Sequence, residues 1–400
     1  MSVKSPLGDR GKGGTMHPIT KAIRTQTERT KEMEHSSPLF LTSSFCYNNA
    51  EEMRASFADE IEANIYSRFS NPTVQEFIDK ICVLEGAEAG FATASGMSAI
   101  FASFMALMKQ GDHLIACKSI FGSTHSVITK FLPRYGIEYT YVDANKPEEW
   151  EAAIRPNTKM IFLETPTNPA LDIIDIEAVV ALGKKHNIIV NVDNCFATPI
   201  GQRPIDYGVD LVIHSATKWI DGQGRVLGGI AVGRQDLVNE IYLFCRSTGP
   251  SMSPFNAWVL SKAVDTLHVR MERHAANALH LAKALEGHPE ISSVIYPFLP
   301  SHPQYAIAQK QMKNGGGIVC FELSGGIEAG IKFLDSLKLL SLTANLGDTR
   351  SIASHPASTT HAKLTEQERS EVGITPGLIR ISVGLEYADD IAADIIQALE

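Results

Sequence analysis

Residues 207–229 read YGVDLVIHSATKWIDGQGRVLGG, and this stretch decides the fold. Its first half is a short, apolar and β-branched run, which is typical of a buried strand in a parallel sheet. The run turns polar just before Lys218, so we expect Lys218 to follow the carboxyl end of a strand, where ligands collect in open α/β sheets. Taken alone, such a residue is more often an ordinary surface lysine. In a pocket, however, burial lowers the pKa of a lysine and makes its amine a nucleophile for carbonyl groups.

A second buried-strand pattern gives Lys218 a chemical context. Residues 186–193, HNIIVNVD, have the β-branched pattern of a buried strand and end on a single acidic residue, Asp193. A carboxylate at such a position is costly unless it meets a cation, and a protonated pyridine nitrogen is one such cation. With the hydroxyls of Ser215 and Thr217 between them, Asp193 and Lys218 predict a site for pyridoxal 5'-phosphate (PLP).

Two further segments favour a phosphate group. Ser95, Gly96 and Met97 follow a strand pattern and begin a long apolar helix, and a glycine at a helix start lets backbone N–H groups meet an anion. Tyr66 and Arg68 are two residues apart in a predicted extended segment, so both side chains point the same way and form a donor pair. Taken alone, the spacing is equally consistent with a surface tyrosine and arginine that bind no ligand. The four glycines at 222, 224, 228 and 229 are predicted to permit positive φ and a close backbone approach.

Five motifs in the expected order resemble the Cys/Met-metabolism family of PLP enzymes. That family includes cystathionine γ-synthase, the γ-lyases and the homoserine-ester sulfhydrylases. The resemblance spans residues 66 to about 385 and implies the type I fold of PLP-dependent transferases. The motifs are Tyr66-Ser-Arg-Phe-Ser-Asn-Pro72, Ala94-Ser-Gly-Met-Ser98, Glu164-Thr-Pro-Thr-Asn-Pro169, Val192-Asp-Asn194 and His214-Ser-Ala-Thr-Lys218.

The resemblance also implies a role for each candidate residue. Lys218 would bind the cofactor aldehyde, Asp193 its pyridine nitrogen and Asn168 its 3-oxygen, while Phe121 would stack on its ring. Arg380 lies in an apolar strand pattern, where a guanidinium needs a partner; the resemblance makes that partner the substrate α-carboxylate, and an internal salt bridge is the alternative. The segments 345–350 and 355–361 resemble substrate-side loops, with Asn345 as a substrate contact and no role assigned to Arg350. The phosphate contacts would be Tyr66, Arg68, Ser95, Gly96, Met97, Ser215 and Thr217.

Composition excludes several classes of protein. The chain has 400 residues, a formal charge of −9 and 44% hydrophobic residues, as in an ordinary soluble globular protein, and its length predicts two domains. The negative charge argues against nucleic-acid binding. No apolar run is long enough to span a bilayer, and the polar N-terminus lacks a signal-peptide pattern, so we expect a cytoplasmic protein. Neither the six cysteines nor the thirteen histidines have metal-ligand spacing, so no metal is expected.

Strand and helix patterns alternate through the middle of the chain, which predicts an α/β fold with a mostly parallel, doubly wound sheet. One helix is expected over residues 18–31, a second is expected to begin with Thr73 as its cap, and a third is expected to run without a break over residues 258–271. Residues 1–15 are predicted to be a mobile tail. The predicted organisation is a tail and inter-subunit arm over 1–60, a PLP-binding domain over 61–260 and a smaller α+β domain over 261–400.

The arm does not carry enough apolar surface to pack by itself. In the resembling family it wraps onto a neighbouring subunit, and residues equivalent to Tyr66 and Arg68 reach the phosphate of that neighbour's cofactor. The resemblance therefore implies a homotetramer built from dimers with shared active sites.

The expected reaction is γ-replacement on an O-acylhomoserine, O-succinylhomoserine above all, with sulfide to give homocysteine in methionine biosynthesis. The substrates would thus be a small amino acid and sulfide. Phe121 supports this choice, because the resembling enzymes usually carry tyrosine there. Cystathionine γ-synthase, methionine γ-lyase and a non-catalytic PLP-holding paralogue stay open. A nicotinamide oxidoreductase is disfavoured, because the run at 222–228 misses G-x-G-x-x-G by one residue.

Overall fold

We analysed a computed structural model of the chain. It describes residues 16–359, 362, 365–371 and 373–400. The predicted tail over 1–15 and residues 360–361 of one predicted substrate-side loop lie outside the described residues. Within the described part of the chain, no helix is long and apolar enough to cross a membrane.

The larger of two sheets has seven strands in the order β1-β7-β6-β5-β4-β2-β3. All neighbouring pairs are parallel except those of β7, which runs antiparallel to both β1 and β6. Most of these strands are buried along their whole length, which explains their continuous apolar sequence. The strands are β1 Ala89–Thr93, β2 His113–Cys117, β3 Glu138–Val142, β4 Thr158–Glu164, β5 Ile189–Asp193, β6 Leu211–Ser215 and β7 Gly229–Gly233.

The second sheet has five strands in the order β10-β11-β12-β9-β8, and its pairs are antiparallel except β10 with β11. It has a hydrophobic core of its own, formed with helices that follow residue 266. The strands are β8 Ile291–Ile295, β9 Ile318–Leu323, β10 Ser341–Leu342, β11 Ile352–Ser354 and β12 Leu378–Ser382.

Helices cover both faces of the larger sheet. On β6, His214 meets Glu85 at the end of α3, whereas the next residue, Ser215, abuts Gly96 at the start of α4. Because successive residues of a strand point to opposite faces, α3 and α4 lie on opposite sides. The helices are α1 Pro18–Arg24, α2 Ala50–Phe57, α3 Pro72–Glu85, α4 Gly96–Leu107, α5 Gly122–Ser126, α6 Pro147–Ala152, α7 Ile176–His186, α8 Thr198–Gly201, α9 Gln235–Thr248, α10 Pro254–Val264, α11 Leu267–Leu285, α12 Tyr305–Gln311, α13 Gly326–Ser336, α14 Glu366–Glu371 and α15 Ala388–Leu399.

The predicted fold class, a doubly wound α/β sheet followed by a smaller α+β unit, is confirmed. The domain boundaries at 60 and 260 remain predictions. The sequence reading missed β7, because Gly229 to Gly233 is short and follows a glycine-rich turn. It also missed β10 and β11, which have two and three residues and show no periodicity.

Three helix predictions were wrong in detail. The first helix ends at Arg24 rather than 31, because Thr25 takes an extended conformation. The cap of α3 is Asn71, not Thr73: the Asn71 side chain accepts a hydrogen bond from the Thr73 N–H. The continuous helix over 258–271 is two helices, α10 and α11, interrupted at Asp265, whose carboxylate is held 2.8 Å from Lys80 Nζ.

Candidate active site

Three neighbouring parallel strands end at one edge of the large sheet, and each ends on a polar side chain. Glu164 ends β4, Asp193 ends β5 and Ser215 ends β6. Lys218 lies in the turn that follows β6, where its N–H donates to the Ser215 carbonyl at 3.1 Å. The sequence prediction that the lysine and the aspartate lie on adjacent strand ends is therefore confirmed.

The Lys218 side chain is largely buried, and its amine points toward the loop between β10 and β11 of the smaller sheet. Nζ donates a hydrogen bond of 2.5 Å to Oδ1 of Asn345, a contact between residues 127 positions apart. Burial, with a smaller contribution from the nearby Arg380 guanidinium, lowers the pKa of Lys218. A lowered pKa increases the fraction of neutral amine, which is the form that attacks a carbonyl carbon.

A narrow cradle lies between the start of α4, the end of β6 and the start of β7. Ser95 caps α4, accepting a hydrogen bond from Ser98 N–H at 3.2 Å. A methyl group on Gly96 would lie 2.6 Å from Ser215 Cβ, and one on Gly229 would lie 2.0 Å from the Ser95 carbonyl oxygen. Only glycine fits at either position, so the start of α4 packs closely against Ser215 and Gly229, and its N-terminal end, where an anion is favoured, lies beside Ser215.

Two other predicted phosphate contacts are already engaged within the chain. Thr217 Oγ1 accepts from the Gly228 N–H at 3.0 Å and lies 3.3 Å from the Gly228 carbonyl. The Met97 sulfur accepts a hydrogen bond from Thr124 Oγ1 at 3.6 Å. Both residues flank the cradle, Met97 in the first turn of α4 and Thr217 next to Lys218.

The glycine-rich turn after Lys218 differs in part from the prediction. Gly222 and Gly224 have positive φ, of 68° and 65°, whereas Gly228 and Gly229 do not. A Cβ on Gly222 would lie 1.9 Å from Nη1 of Arg270, which donates to the carbonyls of Trp219 at 2.6 Å and Ile220 at 3.0 Å. The turn that carries the lysine is thus fixed by an arginine from α11.

Asp193 and Glu164 lie in register on adjacent strands and are both buried. Burial raises the pKa of Asp193 to about 6, although a hydrogen bond from the Cys195 N–H and the charge of His214 act against this. Burial and the neighbouring Asp193 raise the pKa of Glu164 well above its usual range. Sequence reasoning assigned no role to Glu164, yet it has the signal that identified Asp193, a lone charge at the end of a buried strand.

Arg380 extends from β12 to the same site. Its Nη1 donates to Asn168 Oδ1 at 3.0 Å and its Nη2 to the Asn345 carbonyl at 3.4 Å. Its buried Nε has no partner among the described residues. Among the described residues, no Asp or Glu carboxylate lies within ion-pair distance of Arg380. These residues therefore do not support the alternative that Arg380 forms an internal salt bridge.

Phe121 lies at the strand-to-helix corner between β2 and α5. Its N–H donates to Glu164 Oε2 at 2.9 Å, and the residue is 43% exposed. A phenylalanine ring exposed to this extent has a free face that can stack on a planar ligand.

Tyr66 and Arg68 do not form the extended pair that we predicted. They lie in a turn in which the Tyr66 carbonyl accepts from the Phe69 and Ser70 N–H groups. The Arg68 guanidinium lies over the Phe69 ring and donates to the Arg246 carbonyl at the end of α9. Within one chain, their contacts are therefore with this turn and α9 rather than with Lys218.

The chemistry of the residues at this site fits PLP. A buried lysine of lowered pKa can bind an aldehyde, the cradle can hold a phosphate, and Asp193 has no ion-pair partner among the described residues that would compete with a pyridinium. The described residues include no group of three or more His, Cys, Asp or Glu that could hold a metal ion. The fold and this site define a PLP-dependent enzyme of fold type I.

Comparison with known proteins gives the family. The protein-family model for Cys/Met metabolism PLP-dependent enzymes matches residues 19–400 of this chain. The chain is 46% identical to an O-succinylhomoserine sulfhydrylase of Pseudomonas aeruginosa over 95% of this chain and 94% of that protein. It is 44% identical to an L-methionine gamma-lyase of Porphyromonas gingivalis, over 91% and 92%.

A solved structure supports the same assignment. A putative O-acetylhomoserine (thiol)-lyase of Campylobacter jejuni superposes with a TM-score of 0.92 at 34% identity, covering 96% of this chain and all of that one, and carries a pyridoxyl-lysine monophosphate. The chain belongs to the Cys/Met metabolism PLP-dependent enzyme family. Its cofactor is PLP, and it is an enzyme of γ-elimination or γ-replacement chemistry.

Proposed function

We propose that the protein replaces the γ-acyloxy group of an O-acylhomoserine, preferably O-succinylhomoserine, by sulfide to give homocysteine. The observation that carries the proposal is Phe121. The residue lies at the site with an exposed ring, but it has no hydroxyl to move a proton. The resembling enzymes usually carry tyrosine at this position.

The chemistry of the substrates explains why a hydroxyl is dispensable. A cysteine thiol has a pKa of about 8.5 and is mostly protonated at neutral pH, so its attack gains from a nearby base. Hydrogen sulfide is a stronger acid than a cysteine thiol, so a larger fraction of it is already the hydrosulfide anion at neutral pH. Succinate or acetate departs as a weakly basic carboxylate and needs no proton donor. A site without the hydroxyl therefore suits a small ionised nucleophile and an ester substrate.

The chain's other residues take complementary roles in this proposal. When bound, PLP acts as an electron sink that stabilises negative charge on the substrate's α- and β-carbons. Lys218 binds the cofactor and moves protons between these carbons, Arg380 orients the α-carboxylate, and Asn345 holds the Lys218 amine. Asp193 keeps the pyridine nitrogen protonated. Asn168 would contact the cofactor's 3-oxygen.

A methionine γ-lyase is the second candidate, favoured by the 44% identity to the enzyme of Porphyromonas gingivalis. Removing methanethiol from methionine releases a more basic group than a carboxylate, so it gains more from a proton donor. The loss of the tyrosine hydroxyl at Phe121 disfavours this reaction. The complete set of Lys218, Asp193 and Arg380 argues against a non-catalytic paralogue.

The Phe121→Tyr substitution tests the role of the missing hydroxyl. We expect PLP binding to stay nearly unchanged, because the stacking face is kept, while the activities with cysteine as acceptor or methionine as substrate rise by about tenfold or more. Phe131→Tyr is the matched control, since Phe131 is also exposed, at 44%, and belongs to no site motif. Side activities that do not rise in Phe121→Tyr, or that rise equally in both variants, would refute this role.

We also propose that the active site is shared between subunits of a homotetramer. The supporting observations are the exposed Tyr66 ring, at 41%, and the placement of Arg68 against α9 instead of its own chain's lysine. Mixing inactive Arg68→Ala and Lys218→Ala proteins should then restore activity, because some hybrid sites receive both intact contributions. Lack of rescue in samples where native mass spectrometry shows mixed oligomers would exclude a shared site.

A further inference from the structure

Two buried carboxyl groups lie side by side at the ends of β4 and β5, next to the main chain of Phe121. Glu164 and Asp193 are paired in register on parallel strands, a spacing of about 4.8 Å between backbones. The residues are 3% and 7% exposed. Among the described residues, neither carboxyl group has a lysine, arginine or histidine within ion-pair distance, so no contact cation balances two negative charges.

Each carboxyl group accepts one backbone hydrogen bond. The Phe121 N–H donates to Glu164 Oε2 at 2.9 Å, and the Cys195 N–H donates to Asp193 Oδ1 at 3.0 Å. One neutral donor each is too little to support two buried charges, and like charges at this spacing disfavour double ionisation. These features favour one retained proton in the pair.

The surroundings decide which carboxyl group carries that proton. Glu164 is the more strongly shifted: burial and Asp193 raise its pKa well above the usual range, whereas the pKa of Asp193 rises only to about 6. The cofactor's pyridinium, which we assign to Asp193, favours the ionised form of Asp193 further. The other titratable or charged groups near the pair are Arg380 on β12, His214 on β6, Lys218, and the thiols of Cys117 and Cys195.

We propose that Glu164 is protonated in the holoenzyme and acts as a positioning residue, which fixes the Phe121 main chain beside the single negative charge of Asp193. One oxygen of Glu164 accepts from Phe121, and the other, which has no hydrogen-bond partner among the described residues, would carry the proton. A neutral side chain of the same shape should then replace it. This inference concerns the PLP site and does not depend on which ester is the substrate.

The test compares Glu164→Gln and Glu164→Ala with the wild-type holoenzyme. Infrared spectroscopy of protein labelled with ¹³C-glutamate should show a protonated carboxylic-acid band near neutral pH, and this band should be absent from Glu164→Gln. The dissociation constant of PLP should stay within about twofold in Glu164→Gln and weaken about tenfold in Glu164→Ala, which leaves the Phe121 N–H without an acceptor.

Glu76→Gln is the matched control. Glu76 is also buried, which acts to raise its pKa, but hydrogen bonds from Thr27 and Ser261 and the Lys80 amine at 3.3 Å lower the pKa overall. Its replacement should leave the acid band and PLP affinity unchanged while lowering the melting temperature. The proposal is wrong if the wild-type acid band survives in Glu164→Gln, if no such band exists, or if Glu164→Gln weakens PLP binding as much as Glu164→Ala. Because Glu164→Gln keeps the shape of the acid, it decides the question even if Glu164→Ala does not fold.

Discussion

Replacing Lys218 by alanine should give a colourless protein. Its kcat/KM for O-succinylhomoserine should be lower than that of the wild type by at least about a thousandfold. The amine is the group of this site that can bond to the cofactor aldehyde, and its lowered pKa suits it to move protons afterwards. The wild-type protein should be yellow. Borohydride should remove its near-visible absorbance and leave a mass label on the peptide that contains Lys218.

Lys262→Ala is the control for this experiment. Lys262 is half-buried and its amine donates to Ser36 at the surface, so its loss should change neither colour nor rate. A Lys218→Ala protein that turned over ester at the wild-type rate, or a borohydride label on another lysine, would contradict the assignment.

Replacing Arg380 by alanine should lower kcat/KM by roughly a hundredfold or more, about 3 kcal/mol, without loss of PLP absorbance. The guanidinium is buried and has neutral partners, the Asn168 amide and the Asn345 carbonyl. Its charge is therefore available for a substrate carboxylate. Loss of that two-pronged pair affects the substrate and not the cofactor.

Arg380→Lys separates charge from shape. A lysine keeps the positive charge but cannot form two parallel hydrogen bonds to a carboxylate, so it should recover only part of the loss. Should Arg380→Ala lose PLP, or keep the wild-type kcat/KM, the carboxylate would have to bind elsewhere.

The large sheet was predictable because most of its strands are fully buried and the three that form the site end on single polar residues. Asp193 and Lys218 stand out in the sequence for this reason, and the structure places them at one sheet edge. By contrast, β7 has the sequence GIAVG and runs antiparallel, so neither its length nor its pattern distinguishes it from the preceding turn.

Contacts across long sequence separations could not be predicted. The Lys218–Asn345 and Arg380–Asn168 hydrogen bonds join residues 127 and 212 positions apart, and they depend on how the smaller sheet packs. Tyr66 and Arg68 were expected in an extended segment because their spacing suits a strand. Local hydrogen bonds to the Tyr66 carbonyl fold that segment into a turn instead.

The most direct test of the central proposal is a product assay of the purified wild-type holoenzyme with O-succinylhomoserine. O-acetylhomoserine should be assayed in parallel, each ester with sulfide, with cysteine and without thiol, and methionine should be offered separately. We predict that homocysteine forms from O-succinylhomoserine and sulfide at least about tenfold faster than cystathionine forms with cysteine or methionine is degraded. Methionine breakdown or cysteine condensation as fast as sulfide consumption would contradict the proposal and favour a lyase or a cystathionine synthase.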